Sequence, residues 1–415
     1  MVAKGLNAPC PKHDKPNQKA CARDMTLGKI VKFGVVGCGE IANLLHLPDL
    51  ARNERARIVC TCDLIAERAR LTKELWHAEE YYTDFHIMLE KADIDAVVIA
   101  TGMSSHGPLA MESAKAGKHF FVQKPLATNM NDANAVVEET RKAKVKGQVR
   151  PDTPLIPLYK TARKVITEGT IGRPLWFSSG FGRDAPNWGA ETFFSKEAGG
   201  PLFDLGVYSV APITYLLGPA KRVVGLATIS IPYRLLLPED DYTEHLAESV
   251  REGSYLPWHP WRRDAPQSQK VKIEAEDNTF TLLDMGDGCL GVIISNFVML
   301  HGLRRPVPSP NVEIYGEEGG LIVGGVTGSS LSVLTTKKDS KYWMSGGPNE
   351  AGGWYFFGTI PQTQRVNEMD HFIDCIVNDK EPLPSVEWGR HVSEIMTKSL
   401  ESSRTGKALT IESTF

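Results

Sequence analysis

Residues 30–42 read Ile30-Val31-Lys32-Phe33-Gly34-Val35-Val36-Gly37-Cys38-Gly39-Glu40-Ile41-Ala42. The first seven are a short apolar run rich in β-branched side chains, the pattern of a buried strand. It feeds without a spacer into G-x-G-x-x-A. Gly37 permits the tight turn, Gly39 lets the backbone approach a pyrophosphate, and Ala42 is small enough for a helix to lie close on the strand. The helix that begins around Glu40 and Ile41 turns free N–H groups and the positive end of its dipole toward that position. Gly37, Gly39, Glu40, Ile41 and Ala42 are therefore expected to cradle a dinucleotide.

Working outward, Ala56 to Cys62 is a second strand that ends in Asp63, 26 positions after Gly37. A carboxylate there can hold the ribose hydroxyls of NAD. Leu64 follows it rather than a base, so a 2′-phosphate would meet only the carboxylate, and NAD is expected over NADP. Asp63 also suits the N-cap of a helix from Leu64 to Leu75, and the two roles are compatible. A third strand, Ala96 to Ala100, ends in Thr101-Gly102, with His106 close behind. A fourth, His119 to Val122, ends in Gln123-Lys124-Pro125. Helical segments separate the strands, including Pro108 to Ala116 and Met130 to Lys142. This alternation predicts a doubly wound parallel sheet over residues 30–147, with ligands at the carboxyl ends of its strands. Gly37, Asp63, Thr101 and Lys124 all fall there. His106 is expected either to pack against the cofactor or to reach the substrate, simple packing being its alternative.

The whole chain has 415 residues, 42% hydrophobic and 23% charged, with 47 Lys and Arg against 50 Asp and Glu. That length suits two domains. The near-neutral balance argues against a nucleic-acid or membrane-surface binder, and no apolar run reaches transmembrane length. The seven cysteines, Cys10, Cys21, Cys38, Cys60, Cys62, Cys289 and Cys375, are odd in number and scattered. They read as small core thiols of a reduced, cytoplasmic protein rather than a disulfide framework. Cys10, His13 and Cys21 lack a fourth ligand at zinc-site spacing, so no metal is expected. Residues 1–29 are polar, proline-containing and without a signal-peptide core, and read as a disordered tail; Met25 stands close enough to the first strand to serve as an alternative start.

With these strand ends in place, the chain resembles the Gfo/Idh/MocA oxidoreductases, among them glucose-fructose oxidoreductase and the inositol dehydrogenases. Three motifs carry the resemblance: Gly37 to Ala42, then Gln123-Lys124-Pro125 where the family has E-K-P, then Gly199-Gly200-Pro201-Leu202-Phe203-Asp204-Leu205-Gly206-Val207-Tyr208 where it has G-G-x-L-x-D-x-G-x-H/Y. The resemblance spans about Ile30 to the C-terminus. It implies a nicotinamide-dependent enzyme in which Gln123 and Lys124 border the cofactor and Lys124, Asp204 and Tyr208 form the catalytic group. Tyr208 would accept a hydroxyl proton while Lys124 orients the oxygen and stabilises developing charge; Asp204, four residues earlier and on the same helical face, would contact a substrate hydroxyl or the lysine. Without the pattern, each would read as a solvated lysine, a packing tyrosine and a surface acid. Two departures have consequences. Gln123 loses the family's carboxylate, so Lys124 should be a weaker base-holder of its proton than beside a glutamate. Pro212 cannot donate to the carbonyl of Tyr208, so the helix should kink or loosen just after it.

Residues 148–415 are expected to form a second α/β domain. After a helix from Tyr159 to Glu168, strands are expected at Leu175–Gly180, Arg222–Ile231, Val271–Leu283, Leu290–Leu300, Asn311–Tyr315, Gly320–Val323 and Ser332–Thr336. Their alternation suggests an antiparallel sheet. The resemblance adds that this sheet is large and open and carries a homo-oligomer contact, and that a closing helix packs back on the first domain. Arg183 and Trp188, in a segment with Asp184 and Asn187, are candidate substrate contacts, with an ordinary anchored loop as the alternative. Residues 232–269 and 342–357 read as long loops, either functional or at a subunit surface. The expected activity is NAD-dependent oxidation of a secondary hydroxyl of a sugar, glycoside or cyclitol. Two rivals stand beside it: a redox-neutral glycoside hydrolase or lyase acting through transient oxidation, and a non-catalytic NAD-binding regulator.

Overall fold

A computed structural model describes residues 29–187, 189–236, 246, 248–252, 269–299, 311–324, 330–343, 355–357 and 366–415. Six parallel strands make the first sheet: β1 (Val31–Val36), β2 (Ala56–Cys62), β3 (Glu80–Tyr82), β4 (Ala96–Ile99), β5 (His119–Val122) and β6 (Gly147–Val149), in the order β3-β2-β1-β4-β5-β6. Strand order reverses between β1 and β4, which opens a crevice at their carboxyl ends. The expected doubly wound domain is therefore present. Its sheet runs two residues beyond the expected end at 147, through Val149.

Five helices connect these strands: α1 (Leu47–Arg52), α2 (Ala66–Trp76), α3 (Phe85–Lys91), α4 (His106–Lys115) and α5 (Met130–Ala143). On one face, Phe85, Met88, Ala110, Ala114 and Val136 pack against Val36, Val97 and Val122. The other face is completed from far along the chain. After α6 (Pro157–Thr167) and α7 (Val207–Leu217) comes α8 (Glu368–Val377), whose Met369, Phe372 and Ile373 close over Val31, Phe33, Val35 and Phe121. The last helix, α9 (Val386–Thr405), packs Trp388, Val392, Ile395 and Met396 into the second core. The last helix also returns to the first domain: Glu387 pairs with Arg141 of α5, and Gly389 lies against Leu126 and Val149.

The second sheet has nine strands among the described residues: β7 (Pro174–Gly182), β8 (Arg222–Thr228), β11 (Asn278–Gly286), β12 (Cys289–Asn296), β13 (Asn311–Gly316), β14 (Gly319–Gly324), β15 (Ser330–Thr335), β16 (Tyr355–Phe357) and β17 (Leu409–Thr410). All pairings are antiparallel except β7 with β12. Between β8 and β11, β9 (Tyr233–Leu236) and β10 (Gln269–Lys272) form a separate two-stranded ribbon.

That ribbon corrects two expectations with one cause. The strand expected over Val271–Leu283 is broken, and the one expected over Arg222–Ile231 stops at Thr228. Asp277 is buried between them and accepts the backbone N–H groups of Ser230 and Ile231, and its carboxylate pairs with Arg234. Those amides are taken by a side chain instead of a neighbouring strand, so the ladder ends.

All five described cysteines are buried and unpaired; burial pushes Cys60 and Cys62 up to about 12, the state of inert core thiols. Cys10, His13 and Cys21, the expected disordered tail up to residue 28, Trp188, Leu300 and most of both long loops lie outside the described residues. No described helix is long and apolar enough to cross a membrane.

Candidate active site

The glycine loop is held as the motif requires. Gly37 has φ +84°, and a Cβ there would stand 2.6 Å from the carbonyl oxygen of Ala100, so only glycine fits between β1 and β4. Its N–H donates to Cys62 at 2.9 Å. Gly39 is partly exposed, Glu40 and Ala42 are buried, and Ile41 lies at the surface. The helix that follows opens with a wide, π-type turn over Ala42–His46. Asn43 explains how that turn is secured: its amide donates to the carbonyls of Cys38 and Gly39 and to Thr72, while Trp76 donates to its oxygen.

Asp63 faces this loop. One carboxylate oxygen accepts the Cys38 N–H at 2.8 Å and the other accepts the Ile65 N–H at 2.9 Å. It is not the N-cap of α2; that place belongs to Ile65, which makes no side-chain cap bond. Holding Ile65 extended delays the helix to Ala66, two residues later than expected. A negative charge beside the glycine turn, at the end of the second strand, fits the ribose of NAD and disfavours a phosphate there.

Lys124 stands at the end of β5. Its Nζ donates to the Asp204 carboxylate at 2.5 Å and to the Asp204 carbonyl at 2.8 Å, and lies 5.1 Å from the ring centroid of Tyr208. Asp204 and Tyr208 come from a segment 80 or more residues away, yet between Pro201 and Val210 they alone escape burial. The stripe reaches Lys124 because the chain turns sharply at Gly200 (φ +64°), where a Cβ would meet the Glu276 carbonyl at 2.6 Å. Burial works against the lysine's charge, but Asp204 and Tyr208 outweigh it and raise its pKa above the ordinary range.

The helix carrying the pair departs from expectation. Leu202–Gly206 is a π-type turn, and regular helix begins only at Val207. The loosening therefore precedes Tyr208, and α7 continues through Pro212 to Leu217. Val207, Val210, Ala211, Ile213 and Leu216 are all buried, so packing holds the helix across the missing bond.

Gln123 is also placed differently. Its side chain is buried, bonds to His46 Nε2 at 2.6 Å and accepts the Lys124 N–H at 3.2 Å. It therefore supports the lysine's backbone, while Asp204 supplies the charge that Gln123 lacks. His106 presents no ring nitrogen to the crevice: the ring is 1% exposed, with Nδ1 2.8 Å from the Pro125 carbonyl and Nε2 3.0 Å from the Thr101 carbonyl. Burial first, then the charge of Lys124, holds its pKa down at about 4 against the pull of the two carbonyls. Thr101 stays partly exposed at the end of β4, its hydroxyl against Ser105 at 2.7 Å. Arg183 is half-buried and donates from Nε to the Asp184 carbonyl at 3.2 Å. Phe181, two residues earlier, meets the Tyr208 ring edge-on at 6.2 Å, so this segment does border the site.

Two residues emerge only from the structure. Arg150 ends β6 beside Lys124, bonded to Glu368 at 2.8 Å with Asp152 at 3.9 Å; burial opposes its charge, but Glu368, Asp152 and Tyr208 hold it firmly cationic. The strand-end rule that picks out Lys124 would have picked out Arg150, had Gly147–Val149 looked like a strand. His46, fully buried, is kept neutral by burial and by the charge of Arg150.

Comparison with known proteins agrees with this geometry. A family profile described as oxidoreductase family, NAD-binding Rossmann fold, matches residues 31–150, and a GFO/IDH/MocA C-terminal domain profile matches 159–322. Myo-inositol 2-dehydrogenase of Thermotoga maritima is 24% identical over 91% of this chain and 98% of its own length. The scyllo-inositol 2-dehydrogenase (NAD(+)) of Bacillus subtilis is 25% identical over 85% and 88%. A solved levoglucosan dehydrogenase, in complex with NADH and levoglucosan, superposes with TM-score 0.73 at 20% identity, covering 92% of this chain and all of that one. A glycine cradle, a strand-end carboxylate and a lysine gripped from the second domain thus sit on the frame those proteins share: the chain belongs to the Gfo/Idh/MocA family of oxidoreductases, with an NAD-binding Rossmann domain.

Proposed function

We propose that this protein oxidises a secondary hydroxyl of a sugar, glycoside or cyclitol to a ketone with NAD. The observation that carries this reading is Lys124 Nζ, held by Asp204 and beside Tyr208 at the mouth of the crevice. Gly37, Gly39, Glu40, Ile41 and Ala42 would hold the pyrophosphate, Asp63 the adenosine ribose, and Thr101 the edge nearest the reacting ring. When bound, NAD supplies the hydride acceptor. The chain's own residues handle the proton: Tyr208 receives it from the substrate hydroxyl, and the Lys124 ammonium stabilises the negative charge growing on that oxygen. Asp204 keeps the ammonium in place and is positioned to accept from a neighbouring hydroxyl. Arg183, two residues after Phe181, and Trp188, outside the described residues, are assigned to the substrate.

The names of the two inositol dehydrogenases and the levoglucosan dehydrogenase support a polyol or anhydrosugar as substrate. The test is a panel of sugars, cyclitols and chromogenic glycosides incubated with NAD, with NADH and aglycone followed together. Stoichiometric NADH without aglycone is expected. Aglycone without net NADH would overturn the dehydrogenase in favour of redox-neutral glycoside cleavage; NAD binding with neither product would favour a regulator.

The same reading places the protein in the cytoplasm as a homo-oligomer. On the open face of the second sheet, Leu226 (68% exposed) lies opposite Phe280 (43%), and Leu290 (53%) opposite Trp176 (43%), which continues to Tyr315. Exposed apolar pairs of this kind on one face suit a second copy of the chain. Light scattering on the double variant Leu226→Lys, Phe280→Lys should show a smaller particle than wild type; equal masses would remove this face as the contact.

A further inference from the structure

The Gln123-Lys124-Pro125 segment is gripped on both sides by buried imidazoles. On one side Gln123, which accepts the Lys124 N–H, bonds to His46. On the other, His106 Nδ1 meets the carbonyl of Pro125 at 2.8 Å. His106 also spans back to Thr101 at 3.0 Å, so one ring joins the ends of two adjacent strands, β4 and β5. Those ends carry the edge assigned to the cofactor and the lysine assigned to the substrate. A neutral imidazole has a single N–H, so only one of the two carbonyls can receive a hydrogen bond from it at a time.

We propose that His106 is a positioning residue: its N–H to the Pro125 carbonyl fixes the peptide on which Lys124 is mounted, and so fixes the lysine's distance from Asp204 and from the reacting oxygen. This rests on the dehydrogenase reading for its kinetic consequence, though not for its structural one. The ring touches neither crevice nor solvent, so it acts only through the backbone it holds.

Three substitutions separate the two carbonyl contacts. In His106→Asn the side-chain amide can occupy the place of Nδ1, in His106→Gln that of Nε2, and in His106→Ala neither. On an accepted substrate, Ala and Gln should lower kcat by roughly 10- to 100-fold, because a displaced catalytic group loses its alignment. Asn should restore most of that loss, and KM and the Kd for NAD should stay within about twofold in all three. A second readout needs no turnover. Trace acetylation of the full-length protein across pH, with Lys124 followed by peptide mass spectrometry, reports the lysine's pKa. It should fall in Ala and Gln as the amine leaves Asp204, and return toward wild type in Asn. Equal behaviour of Asn and Ala, or an unaltered Lys124 titration in Ala, would overturn the proposal. If wild type oxidises nothing in the panel, the dehydrogenase reading fails while the acetylation result still decides the clamp.

Discussion

Lys124 and Arg150 end adjacent parallel strands, β5 and β6, and both side chains are 13% exposed and paired with a carboxylate from beyond the first sheet. Their partners differ. Glu368 is 5% exposed and begins α8, a helix that completes the first sheet's core. Asp204 is 16% exposed, on the wide turn at the crevice, with Tyr208 beside it. Arg150 is tied to a carboxylate of the core, whereas Lys124 Nζ spends two donors on Asp204 and, on the proposed reading, offers the third to a ligand. Similar burial and similar charge thus serve two ends, and what separates them is whether the partner faces the core or the crevice.

Swapping each cation for methionine puts this contrast at risk. Lys124→Met should reduce kcat by about 10³- to 10⁴-fold, the scale of a lost acid–base and charge-stabilising group, with little change in denaturation midpoint. Arg150→Met should do the reverse, costing about 3–5 kcal/mol of stability because the buried Glu368 carboxylate loses its guanidinium; urea unfolding and steady-state kinetics on both variants would show it. If Lys124→Met unfolded the protein and Arg150→Met merely slowed it, the assignment of roles would be inverted.

Each cation also stands near a buried histidine that burial keeps neutral and the cation's charge depresses further, Lys124 acting on His106 and Arg150 on His46. Both pKa values are depressed on folding, so the unfolded chain binds protons that the folded one refuses. Stability is then complete above about pH 6.5 and is lost as pH falls from there toward 4. For His106 alone, the drop from the ordinary value to about 4 corresponds to roughly 3 kcal/mol. Unfolding free energy followed from pH 7 to 4.5 should fall steeply, and His106→Asn should flatten the slope by up to about 1.4 kcal/mol per pH unit; an unchanged slope would mean that His106 is protonated in the fold.

The smallest expected effect sharpens the comparison most. Asp204→Asn keeps the shape of the Lys124 contact and removes its charge. We expect a loss of about 10- to 100-fold in kcat/KM. Because Asp204 raises the pKa of Lys124, the alkaline limb of the pH profile, where the ammonium discharges, should also move to lower pH. A loss of activity without that move would show that Asp204 acts on substrate alone.

Much of the first domain was legible because β1, β2, β4 and β5 are largely buried apolar runs, each ending at a residue with chemistry; β3, Glu80-Tyr81-Tyr82 at the sheet edge, is mostly exposed and was missed. β6 escaped because Gly147-Gln148-Val149 offers only one such residue, and Arg150 was missed with it. The roles of Gln123, His46 and His106 were not legible, because their partners are one another and backbone carbonyls, which leave no mark in a sequence. Asp204 and Tyr208 were found through a motif, but the wide turn that presents them was not, since no residue type announces it. In the second sheet the alternation located most strands, while Asp277, a single buried carboxylate capturing two amides, ended two of them where the apolar pattern ran on.

That wide turn at Leu202–Gly206 also sets the register of the site. A π-type turn holds one more residue than regular helix would, and each residue of a helix advances the direction of its side chain by about 100°. Shortening the turn by one residue would rotate Tyr208 away from Lys124 even if every side chain were kept. Within this stretch the number of residues is as much a part of the chemistry as their identity, and change can enter by replacement far more easily than by deletion.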